Sequence, residues 1–481
     1  MKKYVKCDMI GWHKTGDGGR KMKGDTIAAI STAAGGSGIG IIRVSGSEAI
    51  SVVDRVYRSK KNRKRIADQD SHTVHYGYIY DGDDPVDEVL VVLMRAPRSF
   101  TAEDTVEINC HGGVYAMKKV LDAVIKHGAR PAEPGEFTKR AFLNGRLDLS
   151  QAEAVMDIIQ SENEYALQSS LSQLKGSVFQ KIKRLREDIL YEIAFIESAL
   201  DDPEHISLDG YPEGLAEKTR NMLKELKDLI VSADNGRLIK EGVQTVILGK
   251  PNAGKSSLMN ALIGEERAIV TNIAGTTRDT LEETIHFEGI TLKLIDTAGI
   301  RQSEDMVEKI GVERAKEKAA NADLILYVVD SSTQPDENDR EILNYLSDKK
   351  AVILLNKSDL VQETTEEKIQ DFIGKEYPII SISVKENKGI DLLEKKIKEM
   401  FYTGNISFNH EIYITNARQK ASLIRAEESL KKVQESISFG MPEDFFTIDL
   451  MSACEALGEI TGETASEDLI NEIFGKFCMG K

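Results

Sequence analysis

The 481-residue chain carries 63 Lys+Arg against 79 Asp+Glu, a formal net charge of −16, with 41% apolar and 30% charged residues. That length exceeds one compact core and points to roughly three domains of ordinary globular composition. The acidic balance excludes nonspecific coating of nucleic acid by counterion release, and no apolar run approaches the ~20 residues of a bilayer span.

The first 24 residues hold Lys2, Lys3, Lys6, Lys14, Arg20, Lys21 and Lys23 with no apolar stretch behind them. They read as an extension expected to be disordered, not as a secretory signal. From residue 25 to 144, short β-branched runs such as Gly40–Ser45 and Val89–Met94 alternate with turn residues, predicting a small α+β domain. Within it Arg55, Arg58, Lys60, Lys61, Arg63, Lys64 and Arg65 make a dense basic stretch, most simply a solvated loop.

A helical region follows over 145–241. Ser150 and Glu153 have the spacing of a capping box. Leu167, Leu171, Leu174, Val178, Ile182, Leu185, Ile189, Ile193, Ile196 and Leu200 then recur in steps of 4, 3 and 4. That is the period of a straight helix, here one continuous helix on the order of 50 Å long. Asp201, Asp202 and Pro203 end it, because Pro breaks the hydrogen-bond ladder. Met222–Ala233 carries a second helical pattern.

Over 242–402 the texture changes to short buried-strand runs, Val243–Leu248, Thr291–Ile295, Leu324–Val329, Val352–Leu355 and Ile379–Ile382, separated by helical segments. Such alternation implies a mostly parallel sheet covered on both faces. Residues 403–481 are helical again, through Leu423, Leu430, Val433, Leu450, Leu457 and Ile473. The expected fold is therefore multidomain, α/β and α+β: an N-terminal α+β domain, a helical domain in two parts, and an inserted P-loop domain. Cys7, Cys110, Cys454 and Cys478 are too dispersed for a zinc knuckle or a CxxC pair, which suits a reducing cytoplasm.

Gly249-Lys-Pro-Asn-Ala-Gly-Lys-Ser256 directly follows a predicted strand and matches the phosphate-binding loop. Its glycines let backbone N–H groups and the next helix N-terminus face phosphates. Asn252, Ala253, Gly254, Lys255, Ser256 and Ser257 line that loop, with Lys255 reaching the β- and γ-phosphates and Ser256 on Mg²⁺. In Thr271-Asn272-Ile273-Ala274-Gly275-Thr276-Thr277, either Thr276 or Thr277 can offer a hydroxyl to the metal and sense the γ-phosphate. Asp296-Thr297-Ala298-Gly299 leaves a strand end, Asp296 supporting the metal shell and Gly299 approaching the γ-phosphate. Asn356-Lys357-Ser358-Asp359 leaves another. The Asp359 carboxylate can accept from guanine N1–H and the exocyclic amine, Lys357 can cover the base plane, and Ser383 and Lys385 belong to the base-side loop. Four such motifs in order make GTP the nucleotide. Ile300 stands where a water-positioning glutamine often follows Gly299, so another group must orient the nucleophile.

Pro134-Gly-Glu-Phe137, Ala141-Phe-Leu-Asn144, Leu147-Asp-Leu149, Ile460-Thr-Gly-Glu463 and Phe477-Cys-Met-Gly-Lys481 give the chain, from Asp25 onward, its resemblance to the bacterial tRNA-modification GTPase family MnmE (TrmE). The resemblance implies a GTPase that modifies C5 of the wobble uridine of certain tRNAs. It implies a homodimer, a flavin-dependent partner, MnmG (GidA), in a hetero-oligomer, and a tetrahydrofolate one-carbon unit in 5-formyl or methylene form. It places K⁺ on Asn252, Thr271, Ile273 and Thr276, where an arginine finger would otherwise act, with Thr277 serving Mg²⁺. It makes Glu308 the water-positioning carboxylate. For folate it points to Arg43, Glu107, Arg146 and Lys481; a carboxylate suits the pterin N–H edge and cations suit the glutamate tail. It also makes Cys478 a candidate reactive thiol beside the folate. An RNA-binding ribosome-assembly GTPase would share every nucleotide motif, but would append RNA-binding modules or a second P-loop. A dimer merely stabilised by GTP would not speed up with K⁺.

Glu308→Ala should slow single-turnover GTP hydrolysis in KCl by about 10²–10⁴-fold and leave GTP affinity nearly unchanged, while Glu304→Ala should do neither.

Overall fold

The computed structural model describes residues 25–33, 35–60, 64–264, 283–287, 290–294, 319–320, 322–343, 346, 349–401 and 414–480. Two compact units are present, one of Met1–Ile159, Leu171–Leu226 and Ala421–Lys481, the other of Gln160–Ser170 and Lys227–Lys420. The expected extension over 1–24 lies outside the described residues.

The first unit begins with a seven-stranded sheet. Its strands are β1 Ile27–Ile30, β2 Ile39–Ser45, β3 Tyr57–Ser59, β4 Thr73–Asp81, β5 Asp84–Met94, β6 Thr105–His111 and β7 Arg130–Pro131. Their order is β3-β4-β5-β6-β2-β1-β7, antiparallel except for the β1–β7 pair. Alternation decides its faces. Ile42 and Val44 of β2 and Val106 and Ile108 of β6 enter the core with helices Ala49–Val56 and Val114–Lys126. The intervening Arg43 and Glu107, paired in register, therefore lie on the opposite face.

The helical region after residue 145 corrects two expectations. The proposed continuous helix is two, Glu164–Leu174 and Ser177–Asp201. Gly176 takes a left-handed φ of 90° and its N–H bonds the Gln173 carbonyl at 2.8 Å, a turn that glycine adopts without steric cost. The apolar stripe is buried from Val178 through Ile196, whereas Leu167, Leu171 and Leu200 are exposed. The second helix packs on Glu443–Thr461, where Arg186 donates to the Cys454 carbonyl at 3.2 Å and pairs with Glu463.

The capping box also shifts. Ser150 lies inside helix Leu149–Ile159, and the cap is Asp148. Its Oδ1 accepts from Ser150 N at 2.8 Å and Gln151 N at 3.2 Å, while Asp148 N donates back to Gln151 Oε1 at 3.0 Å. An Asp side-chain oxygen is a good acceptor for helix-end N–H groups, and glutamine at the third position closes the box as glutamate would.

The second unit contains a six-stranded sheet, β8 Val243–Leu248, β9 Glu283–Phe287, β10 Ile290–Leu294, β11 Leu324–Asp330, β12 Lys350–Asn356 and β13 Ile379–Ser381. The order is β13-β12-β11-β8-β10-β9. All pairs are parallel except the β9–β10 edge. Central β11 and β12 are buried almost end to end, with cores on both faces, so the mostly parallel sheet follows from uninterrupted apolar runs. The C-terminal ends of β8 and β12 open into the phosphate-loop and Asn-Lys-Ser-Asp motifs.

At a pH below the ordinary carboxylate pKa, removing the Asp148 side chain with Asp148→Ala should lower unfolding free energy by about 1 kcal/mol in urea denaturation. Burial outweighs the bonds to Ser150 and Gln151 and raises the Asp148 carboxyl above its usual value. Its contribution is thus complete below the ordinary carboxylate pKa and lost as pH rises through the raised folded one. Asp148→Asn, which keeps the acceptor without titrating, should gain on the wild type over that window.

Candidate nucleotide and polar sites

β8 runs buried into Gly249, whose φ of 150° turns the chain away; a Cβ there would press on the Val328 carbonyl. The loop closes at Gly254, φ 100°, immediately before helix Lys255–Ile263. Asn252 also has positive φ, 62°, rare for a residue with a Cβ but tolerated by asparagine. The Lys255 ammonium donates to the Gly249 and Lys250 carbonyls at 2.8 and 2.6 Å. Burial pushes its pKa down, because a desolvated ammonium with only neutral partners is penalised. An anion over the loop would supply the missing counter-charge. Ala253 is buried; Ser256 and Ser257 stand exposed in the first helical turn.

Asn356, buried at the end of β12, joins this loop to the next. Its Nδ2 donates to the Ala253 carbonyl at 2.8 Å and its Oδ1 accepts from Val384 N at 3.3 Å. Gly254 makes room for it, since a Cβ there would press on Nδ2. Lys357 follows with φ 64°. Asp359 Oδ1 accepts from Ser383 Oγ at 2.7 Å, and that bond first, with further help from Lys385 and Lys388, holds the carboxyl below its usual value. Ser383 exchanges backbone bonds with Lys388 at 3.1 and 3.0 Å, closing a turn that leaves Lys385 exposed.

Among described residues, then, Asn252–Ser257, Asn356, Lys357, Asp359, Ser383 and Lys385 all stand at one end of the sheet, on the loops there, the end of β12 and the first turn of helix Lys255–Ile263. Thr271, Asn272, Ile273, Ala274, Gly275, Thr276, Thr277, Asp296, Thr297, Ala298, Gly299, Ile300 and Glu308 lie outside the described residues. The sequence reading omits neighbours that the structure supplies. Lys250 pairs with Asp339 at 2.7 Å and Asp336 at 3.1 Å, and Asp339 also receives the Tyr327 hydroxyl at 2.5 Å. Lys357 pairs with Asp330 at 2.5 Å. The one available signal was the acidic residue ending the apolar run of β11.

In the first unit, Arg43 Nε donates to Glu107 Oε1 at 2.8 Å. Arg43 Cζ lies 5.4 Å from the Phe100 ring centroid and Arg146 Cζ 5.0 Å from the same ring, so one aromatic ring gathers two guanidinium groups. The C-terminal segment comes to the same place: Phe474 and Phe477 pack with Leu149, Ala152 and Met156. The Gly480 carbonyl accepts from Ser31 Oγ at 3.0 Å and Arg43 Nη1 at 3.5 Å. Arg43, Glu107 and Arg146 are thereby assembled from three separate elements, Cys478 is exposed nearby in sequence, and Lys481 lies outside the described residues. Phe100 carries no motif signal.

A phosphate-wrapping loop after a central parallel strand, tied through an asparagine to a base-reading loop, is the build of a P-loop GTPase, and that is the class of this protein. Comparison with known proteins narrows it. The family model described as "GTP-binding protein TrmE N-terminus" matches residues 26–146, and that of the MnmE helical domain matches residues 149–478. A tRNA modification GTPase MnmE of Lachnoclostridium phytofermentans is 58% identical over 460 residues, covering 96% of this chain and 100% of that protein. Those of Acetivibrio thermocellus, 49% identical over 95% of this chain and 100% of the relative, and Clostridioides difficile, 47% over 95% and 99%, carry the same name. The chain belongs to the MnmE (TrmE) family.

Gly254→Ala should destabilise the protein by about 2 kcal/mol or more, from strain at positive φ and from the clash with Asn356. GTP affinity, measured by calorimetry, should fall with it.

Proposed function

We propose that this protein is a cytoplasmic, K⁺-dependent GTPase that works with a flavin-dependent partner of the MnmG type to modify C5 of the wobble uridine of certain tRNAs, using a tetrahydrofolate one-carbon unit. GTPase action in tRNA modification follows from membership of the family; the finer steps are our reading. Residues 242–402 are the GTPase domain, 25–144 the folate-binding and dimerisation domain, and 145–241 with 403–481 the two parts of the helical domain.

In the nucleotide site, the loop N–H groups and Lys255 hold the phosphates, and Asp359 and Lys357 take the guanine. Ser256 and Thr277 would hold Mg²⁺, with Asp296 behind them. Asn252, Thr271, Ile273 and Thr276 would hold K⁺, whose charge offsets what builds on the transferred phosphoryl group. Glu308 orients the attacking water. The exposed, outward-turned Asn252 and the desolvated, carbonyl-bound Lys255 support this loop as an anion and cation cradle.

The observation that carries the folate assignment is the gathering of Arg43 and Arg146 at the Phe100 ring, with Glu107 and the Gly480 carbonyl bound to Arg43. A flat heteroaromatic ring suits the aromatic face, the carboxylate suits its N–H edge, and Arg146 and Lys481 suit the glutamate tail. Folate supplies the one-carbon unit; the protein binds and orients it, with the exposed Cys478 as a candidate reactive thiol. The experiment is nucleoside analysis of tRNA from cells lacking the protein, restored with wild type or with Glu107→Gln. The wobble-uridine modification should vanish, return with wild type, and fail to return with the variant. An unchanged profile in the deletion strain overturns the reading.

At matched ionic strength, GTP hydrolysis by the purified protein should be fast in KCl and slow in NaCl, and a transition-state mimic should drive dimerisation with the same ion preference. Equal behaviour in the two salts would remove K⁺ and the dimer together.

A further inference from the structure

The exit of β11 is fastened to the start of the Asn-Lys-Ser-Asp loop beyond what strand pairing requires. Asp330 stands opposite Asn356 in the parallel register. Ser331 then bonds the Asn356 carbonyl twice, from its N–H at 3.0 Å and its Oγ at 2.7 Å. Asp330 divides its carboxylate between two tasks. Oδ1 accepts from Ser332 N–H at 3.0 Å and Ser332 Oγ at 2.6 Å, closing the turn, and Oδ2 accepts from Lys357 Nζ at 2.5 Å.

Lys357 has a left-handed backbone, φ 64°, a conformation a lysine holds only when its surroundings impose it. The Ser331 bonds to Asn356 and the Leu360 N–H bond to the Lys357 carbonyl at 2.9 Å fix the backbone. Asp330 fixes the other end of the side chain. The pair is partly shielded, with the Asp330 side chain 14% and the Lys357 side chain 33% exposed. The four-carbon stem is thus held at both ends.

We propose that Asp330 is a positioning residue for guanine-nucleotide binding: by anchoring the Lys357 ammonium it stretches the lysine stem into a flat wall against one face of the base. This rests on reading Asn356–Asp359 as the base-side loop. The wall and Asp359 then differ in what they sense. Contact with the base face does not depend on the substituents at its edge, whereas Asp359 counts the N–H groups there. Asp330 should therefore act equally on GTP, GDP and ITP, which lacks the exocyclic amine, while Asp359 should favour GTP over ITP.

The test is calorimetric binding of GTP, GDP and ITP, with steady-state hydrolysis, to full-length wild type, Asp330→Asn, Lys357→Met, the double variant and Asp359→Asn. Asn at 330 keeps the Oδ1 acceptor for the Ser332 turn and replaces only the oxygen facing Lys357; Lys357→Met leaves that turn untouched and guards against a folding defect. Asp330→Asn should weaken all three nucleotides by the same factor, roughly threefold to thirtyfold, as for residues in direct contact. KM should rise with kcat held, the mark of uniform binding. The double variant should bind no worse than the weaker single one. Wild-type affinity in Asp330→Asn, a loss confined to GTP over ITP, or additive losses in the double variant would each overturn the proposal. If Asp359→Asn loses GTP while Asp330→Asn does not, the wall alone fails; if Asp359→Asn binds GTP normally, the base-side reading fails and the proposal with it.

Discussion

The side-chain amide of Asn356 is the joint on which the nucleotide site depends. Strand ends in a parallel sheet lie side by side, but nothing in strand pairing holds the loops beyond them in register. Asn356 does so with one group, donating to the phosphate loop at Ala253 and accepting from the base-side loop at Val384. It is buried, so a missing partner would leave an unsatisfied polar group at a cost of about 1–3 kcal/mol. Gly254 is required by the same bond, for only a residue without Cβ leaves space for the amide.

Around this joint, carboxylates from β11 and the segment after it hold lysines from both loops. Asp336 and Asp339 hold Lys250 and Asp330 holds Lys357. Lys255 is the exception: it rests on neutral carbonyls, its charge uncompensated within the loop. With Lys250 and Lys357 paired and Lys255 not, an uncompensated positive charge is held ready for an anion at one place. The N-terminal sheet follows a similar economy, since Arg43 and Glu107 satisfy each other across β2 and β6 on a half-buried face, where Arg43 also reaches the Gly480 carbonyl.

Much of this was legible in the sequence. Uninterrupted apolar runs fixed β8, β11 and β12 to within two residues, because buried central strands leave little freedom in where they begin and end. The edge strand β9 was not legible: Glu283–Phe287 is short and half polar, and it exists through its pairing with β10. Periodicity carried the helix through Gly176, because an apolar stripe in steps of 4, 3 and 4 cannot register one left-handed residue. The cap was misplaced by two residues because Asp148 and Ser150 are both good caps, and only the tertiary burial of Ser150 decides between them. Motif order placed the Gly249–Ser256 and Asn356–Asp359 segments at strand ends, where they stand, but Asp330, Asp339 and Phe100 act through distant partners that no local pattern encodes.

The most direct measurement is the GTP affinity of Asn356→Ala, by calorimetry on a protein shown by thermal denaturation to be folded. If one amide holds the two loops together, affinity should fall by about tenfold or more, the loss expected when buried partners on both sides are left unpaired. A folded variant that binds GTP as wild type does would contradict the role given to Asn356 and, with it, the construction of the site.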